Sequence, residues 1–225
     1  MSTYYLKLVL GSDAAFGRGD GVASLVDAEV QHDELGCPYL RGRALKGILV
    51  NECAEILAAL SGPAQERWAD SAQRLFGCPG SDAQAEARLA VGDARLPEDL
   101  RQAIAQDIRD ERLTRAQVLE TLTTVRHQTA MEASGVPRPH TLRAIRVVIR
   151  GTSFWARLDL ADGDPKKRAD DLALLAACVK AFRRAGTGRN RGLGKLSAEL
   201  LDETGTALQP DPFQLFRTEV LPCTP

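Results

Sequence analysis

The order in which two hydrophobic periodicities follow one another constrains this chain more than any other feature. Tyr4 to Leu10 is dominated by Tyr, Leu and Val and ends in the turn residues Gly11-Ser12-Asp13, which predicts a strand. Over Arg43 to Leu60 the spacing changes: Leu45, Ile48, Leu49, Ile56, Leu57 and Leu60 recur at helical intervals until Gly62-Pro63 stops them. Arg143 to Ile149 and Phe154 to Leu160 are strand-like runs joined by Arg150-Gly151-Thr152-Ser153, which predicts an antiparallel pair. Arg168 to Ala185 then reads as a helix, with Leu172, Leu175, Ala176, Val179 and Phe182 on one face and Gly186 as its left-handed cap. Lys195 to Leu201 supplies a last strand. Strand, helix, strand, strand, helix, strand is the order of an α+β, ferredoxin-like (RRM-like) βαββαβ core, whose antiparallel sheet carries both helices on one face.

The stretch 61–142 is too long for a connection between the first helix and the second strand. It is expected to be an insertion within a single domain spanning 1–225, with helices of its own at Asp99 to Arg109 and Arg115 to Val125. Its last part, Arg126 to Thr141, carries Gly135, Pro137 and Pro139 with little periodicity and predicts a protruding, thumb-like arm. The five cysteines are odd in number and none has a Cys or His partner at ligand spacing, so neither a disulfide framework nor structural zinc is expected. No secretory pattern opens the chain and no apolar run reaches the roughly 20 residues of a membrane span, so a cytoplasmic location without a membrane partner is expected.

A net charge of -1 excludes a protein that coats nucleic acid with its whole surface, so any such contact must be local. Two acid-free basic stretches provide it. Ala133 to Leu158 holds five arginines, and Lys180 to Lys195 holds six basic residues. The second contains Gly186-Thr187-Gly188-Arg189-Asn190-Arg191-Gly192-Leu193-Gly194-Lys195, whose glycines allow close backbone approach and whose Arg189, Arg191 and Lys195 suit phosphates. It follows a helix and opens a strand, so it is not a nucleotide P-loop; the alternative is a flexible surface turn. Arg41, Arg43 and Lys46 surround the start of the first helix, where free amides favour an anion. Basic side chains at that end oppose the helix dipole, which points to a functional cause. Arg18, between Gly17 and Gly19, is a further candidate.

A glycine-rich loop after the second helix of a ferredoxin-like core resembles the RAMP superfamily, and three more segments do so in the same order. Pro38-Tyr39-Leu40-Arg41-Gly42-Arg43-Ala44-Leu45-Lys46-Gly47 is similar to that family's segment leading into helix one, with Arg41 and Arg43 replacing the usual proline and first serine. Leu75-Phe76-Gly77 with Arg88 to Ala94 looks like its leucine-phenylalanine-glycine and following strand. Arg126-His127-Gln128-Thr129-Ala130-Met131 resembles the opening of the thumb in backbone subunits of type III CRISPR effector complexes, although Glu132 stands where many relatives have aspartate. The resemblance runs from about Tyr4 to Leu201. It implies a subunit that polymerises with other RAMP subunits along CRISPR RNA, holds target RNA paired to it, and contacts RNA through Arg126, His127 and Thr129 besides the basic residues above.

The resemblance also implies that an aspartate shortly before helix one cuts the target, and spacing places Asp27 there. A carboxylate can accept a proton from a 2′-hydroxyl or hold a divalent metal ion such as Mg2+. Asp33 and Asp20 are its rivals, and Asp27 as an ordinary loop aspartate is the bland alternative. His32 is a base by chemistry but an isolated loop histidine is more often solvated. His127 and His140, in or beside the thumb, suit stacking or phosphate contact rather than catalysis. Phe154 and Trp155 are expected in the core or at a subunit interface. The competing functions are a binding-only subunit, a guide-processing RAMP endonuclease using a histidine, and an unrelated ferredoxin-like regulatory domain.

Overall fold

The computed structural model describes residues 1–22, 25–77, 87–130 and 132–220. Met131, Cys78 and Cys223 lie outside the described residues.

Strand β1 (Ser2–Leu10) alternates as its sequence requires, burying Tyr4, Leu6, Leu8 and Leu10 on one face. Helix α1 (Gly42–Ala58) follows and buries Leu45, Leu49 and Cys53 against that face. After α2 (Gly62–Phe76) comes the short strand β2 (Leu89–Val91), then α3 (Glu98–Arg109) and α4 (Arg115–Leu122). Thr114 closes a capping box with Gln117 at the start of α4. Strands β3 (Thr123–Gln128), β4 (Arg143–Val148) and β5 (Ser153–Leu160), helix α5 (Pro165–Ala181), strand β6 (Leu196–Leu201) and helix α6 (Phe213–Val220) complete the chain.

Four strands form one sheet in the order β2-β5-β1-β6, with every neighbouring pair antiparallel. This is the ferredoxin-like arrangement expected from the order of elements, with two corrections. Arg143 to Ile149 is not the second strand of this sheet and does not pair with β5. It pairs with β3 in a separate two-stranded sheet, from Thr123 against Val148 to Gln128 against Arg143. The place expected for it is taken by β2, three residues within the stretch read as insertion, with Leu89 opposite Leu160. The physical reason lies in the Arg150-Gly151 corner: the Arg150 amide donates to the Asp13 carboxylate and Gly151 to the Leu10 carbonyl. The chain therefore turns from one sheet into the other.

The end of α5 differs too. Asp164 caps its start and Pro165 occupies the first turn, so the helix begins earlier than its apolar face suggests. It stops at Ala181 with Phe182 in extended geometry, and Gly186 belongs to the loop beyond. Helix α6, not foreseen, places Phe216 4.8 Å from the buried Trp68 ring. One continuous apolar core joins β1, β5, α1, α2 and α5 to Ile104 of α3 and Val118 of α4. Phe154 is buried in it, whereas Trp155 faces the other side of the sheet with the Lys7 ammonium 5.6 Å from its ring. No helix among the described residues is long and apolar enough to cross a membrane.

The hairpin β3-β4 carries the arm. Residues 132–140 are all exposed, Val136 among them at 57%, so removing Ser134 to Pro139 is expected to leave the cooperative thermal melt in place. A shift of no more than a few degrees is consistent with the surface position of that tip. Loss of the melt would show that the tip packs in the core.

Candidate nucleic-acid interface

Two segments separated by about three quarters of the chain meet beside β1. The glycine-rich loop packs on residues 11–16: Gly194 donates to the Asp13 carbonyl, Thr187 to the Ala15 carbonyl, and Gly11 to the Lys195 carbonyl. Its glycines serve this backbone packing as much as any ligand. At Gly194, with φ +74°, a Cβ would lie 1.9 Å from the Ala185 carbonyl oxygen, and at Gly186, with φ +83°, 2.5 Å from that of Ala15. The arginines between them are lifted into a short 3-10 turn, Arg189–Arg191, and both are exposed.

On the other side of the loop stands the start of α1. A cleft of about 260 Å³ lies between them, with Arg41 and Arg189 on its rim. Neither guanidinium has an acidic group within ion-pair distance among the described residues, and the same holds for exposed Arg43 and Lys195. The helix amides are less free than the sequence suggested: Gly42 donates to Asp93 Oδ1 at 2.9 Å. Burial pushes the Asp93 carboxyl up, but the Gly42 amide and the Arg95 guanidinium outweigh it and hold the group below its ordinary value. Lys46 turns inward, donating to the Leu89 carbonyl at 3.0 Å, and burial lowers its pKa. It ties α1 to β2, which removes it from the exposed basic set.

The thumb joins the same neighbourhood. Arg191 Nη1 donates to Gln128 Oε1 at 3.1 Å, linking the glycine-rich loop to the last residue of β3, where the arm begins. Arg126 Nε donates to Asp13 Oδ2 at 3.0 Å while over half its side chain stays exposed. Asp13, by sequence no more than a turn residue, is the hub: one carboxylate holds Arg126 of the thumb and the Arg150 corner. Burial raises its pKa, and these two partners more than reverse that. His127 and Thr129 are exposed on β3 and just beyond it, and His140 is exposed on the arm. Of the arginines in the first basic stretch, Arg146 is buried at 8% against Glu29, and Arg157 pairs with Asp159. Their contribution to the apparent basic patch is structural.

Asp27 sits on the far edge of β4, at the base of the thumb. Its amide donates to the Ala144 carbonyl at 2.7 Å and its Oδ2 accepts from the Ala144 amide at 2.7 Å. The carboxylate is exposed and Oδ1 accepts nothing among the described residues. Ala144 pairs with His127 across the hairpin, which puts His127 about two strand spacings, roughly 10 Å, from Asp27. Asp33 is differently employed: Oδ1 accepts from the Leu35 and Cys37 amides, and Oδ2 meets Arg101 at 3.0 Å. Asp20 is bound by Arg18 at 2.6 Å, which also occupies Arg18. Among the described residues no three His, Cys, Asp or Glu side chains gather as a metal site.

A sequence model of the RAMP superfamily matches residues 8–197. The chain belongs to the RAMP superfamily. This RAMP chain is similar in fold to a chain in the cryo-EM structure of the type III-B Cmr-beta bound to cognate target RNA, with TM-score 0.62 and 11% identity, covering 89% of this chain and 97% of that one. A chain of the type III-B Cmr-beta apo state gives TM-score 0.62 and 12% identity over 90% and 98%. A chain of a type IV-B CRISPR complex gives 0.60 and 14% over 92% and 94%. At such identities the likeness is one of fold. No curated protein matches the RAMP sequence significantly.

Proposed function

We propose that this RAMP chain is a CRISPR RNA-binding backbone subunit of a type III interference complex, with target RNA and other RAMP subunits as further partners, and that it cuts the guide-paired target. The observation that carries the RNA reading is the convergence on one cleft of Arg41 and Arg189, neither ion-paired among the described residues, with Arg191 reaching from the same loop to the thumb. Exposed guanidinium groups with no acidic partner among the described residues suit a polyanion whose phosphates repeat along a groove. The fold likeness to chains of Cmr-beta and type IV-B assemblies supports the same reading.

The RAMP resemblance implies a cutting aspartate in the loop before α1, and Asp27 suits that role: Asp33 and Asp20 are engaged in ion pairs, whereas Asp27 Oδ1 at the thumb base has no partner among the described residues. A target nucleotide splayed there would present its 2′-hydroxyl. As the 2′-oxygen attacks the adjacent phosphorus its proton passes to the carboxylate, and the 5′-oxygen leaves, taking a proton from water. Mg2+ commonly takes one or two carboxylates with phosphates and water, which a lone Asp27 fits; when bound it would neutralise phosphate charge. The second reading, a binding-only subunit, is favoured by the bond from Asp27 Oδ2 to Ala144, since a purely structural aspartate makes the same contact.

Native purification followed by extraction tests the RNA reading, because a metabolite-binding relative would carry no RNA. In RNA titrations over a range of salt, replacing Arg189 and Arg191 by alanine is expected to weaken binding almost independently of sequence. The slope of log affinity against log salt should fall by roughly one for each lost phosphate contact. An unchanged slope would remove the loop from the interface.

A further inference from the structure

We propose that the cleft between the glycine-rich loop and α1 is a nucleobase site, in which Gln31 and Tyr39 read the edge of one RNA base. This deepens the RNA-binding reading above and rests on it. The cleft differs from a phosphate groove in its lining, where Phe16, Leu40 and Ile48 are apolar. At about 260 Å³ it lies below the roughly 300–1,000 Å³ of clefts that take a drug-sized molecule, which leaves room for one flat ring system.

Its polar groups are few and fixed. Gln31 is 8% exposed, and its Nε2 donates to the Tyr39 hydroxyl oxygen at 2.9 Å. That bond leaves further capacity unused among the described residues: Gln31 Oε1 accepts nothing, the second Nε2 proton is not donated, and the Tyr39 hydroxyl proton has no acceptor. An acceptor and a donor thus stand side by side on a locked pair, the complement of a base edge that presents a donor beside an acceptor. The Arg95 guanidinium lies 5.0 Å from the Tyr39 ring centre and steadies it from outside the cleft. Arg41 and Arg189 on the rim are placed for the phosphates on either side of such a nucleotide. Apolar walls, a paired hydrogen-bonding edge and a cationic rim are together the chemistry of an unstacked base in a single strand.

The test compares binding of the full chain to oligouridylate of about eight nucleotides and to an abasic ribose-phosphate oligomer of equal length and charge. The base-bearing RNA is expected to bind about tenfold more tightly. Tyr39→Phe removes the donor, and Ala44→Leu fills the cleft from an exposed position in the first turn of α1, where leucine suits the helix. Each is expected to cut the preference for base-bearing RNA at least about threefold while affinity for the abasic oligomer and its salt slope stay unchanged. Should Tyr39→Phe fold poorly, Ala44→Leu carries the test alone. A preference untouched in Ala44→Leu, or no preference in the unaltered protein, overturns the base site and leaves the phosphate interface standing. Binding of neither oligomer removes the RNA reading itself.

Discussion

Replacing Asp27 by alanine or asparagine is expected to leave guide loading and target binding intact and to lower cutting at the site it serves by about 100-fold to 10,000-fold. The carboxylate is exposed and contributes nothing to holding a polyanion, so removing its charge does not weaken binding and slightly favours it. Its value appears only when a proton leaves the 2′-hydroxyl. Asparagine preserves an oxygen for the Ala144 amide and therefore keeps the loop in place, which separates lost chemistry from lost structure. Asp20→Ala and Asp33→Ala are expected to retain substantial cutting. Asp33→Ala should also melt earlier, because it leaves the Leu35 and Cys37 amides without their acceptor and Arg101 with Glu98 alone as an acidic partner among the described residues. Single-turnover cleavage by the assembled complex decides the matter: near-normal cutting by the Asp27 variant, with Asp20 or Asp33 essential, would falsify the assignment.

Glu29→Gln is expected to lower folding stability by about 3–5 kcal/mol, a large share of the total that holds a domain folded. The Glu29 side chain is 2% exposed and Arg146 8%, with 3.0 Å between them, so the nearly isosteric amide leaves a cation buried without its counter-charge. Arg146 also donates to Thr123 Oγ1 at 3.2 Å, and its amide donates to the Ala28 carbonyl. The pair therefore fastens the loop of Asp27 to β4 and the thumb. Joint replacement by Leu at 29 and Met at 146 is expected to recover most of the loss, because removing both charges removes the desolvation problem. Urea midpoints at constant m-value would measure both, and a loss below about 1 kcal/mol for Glu29→Gln would show that water reaches Arg146.

Much of this was legible in the sequence for local reasons. Strand β1, helix α1 and strands β5 and β6 announce themselves because burial on one face imposes period two or 3.6 on the residues themselves. The exposed glycine-rich loop was legible as well, since arginines between glycines have few structural uses. Three-residue β2 has no period of its own, so the resemblance over Arg88 to Ala94 pointed to a strand there while its place in the core sheet stayed hidden. The Arg150-Gly151 turn signalled a reversal without saying which strand each side would join. Lys46, Arg146 and Arg157 read as free cations, since a charge count cannot see a partner such as Glu29, 117 residues away from Arg146. Asp13 was unreadable for the same reason.

By itself the sequence determined β1, α1, β5, α5 and β6, the RAMP resemblance and the residue types offered to RNA, because these follow from spacing and chemistry along one chain. Only the tertiary structure decided which charges have no ion-pair partner among the described residues, that Asp33 and Asp20 are occupied while Asp27 Oδ1 accepts nothing among those residues, and that Gln31, Tyr39, Arg41 and Arg189 border one cleft. Pairing and convergence are set by contacts between distant segments, and the sheet register that brings those segments together is a property of the whole core.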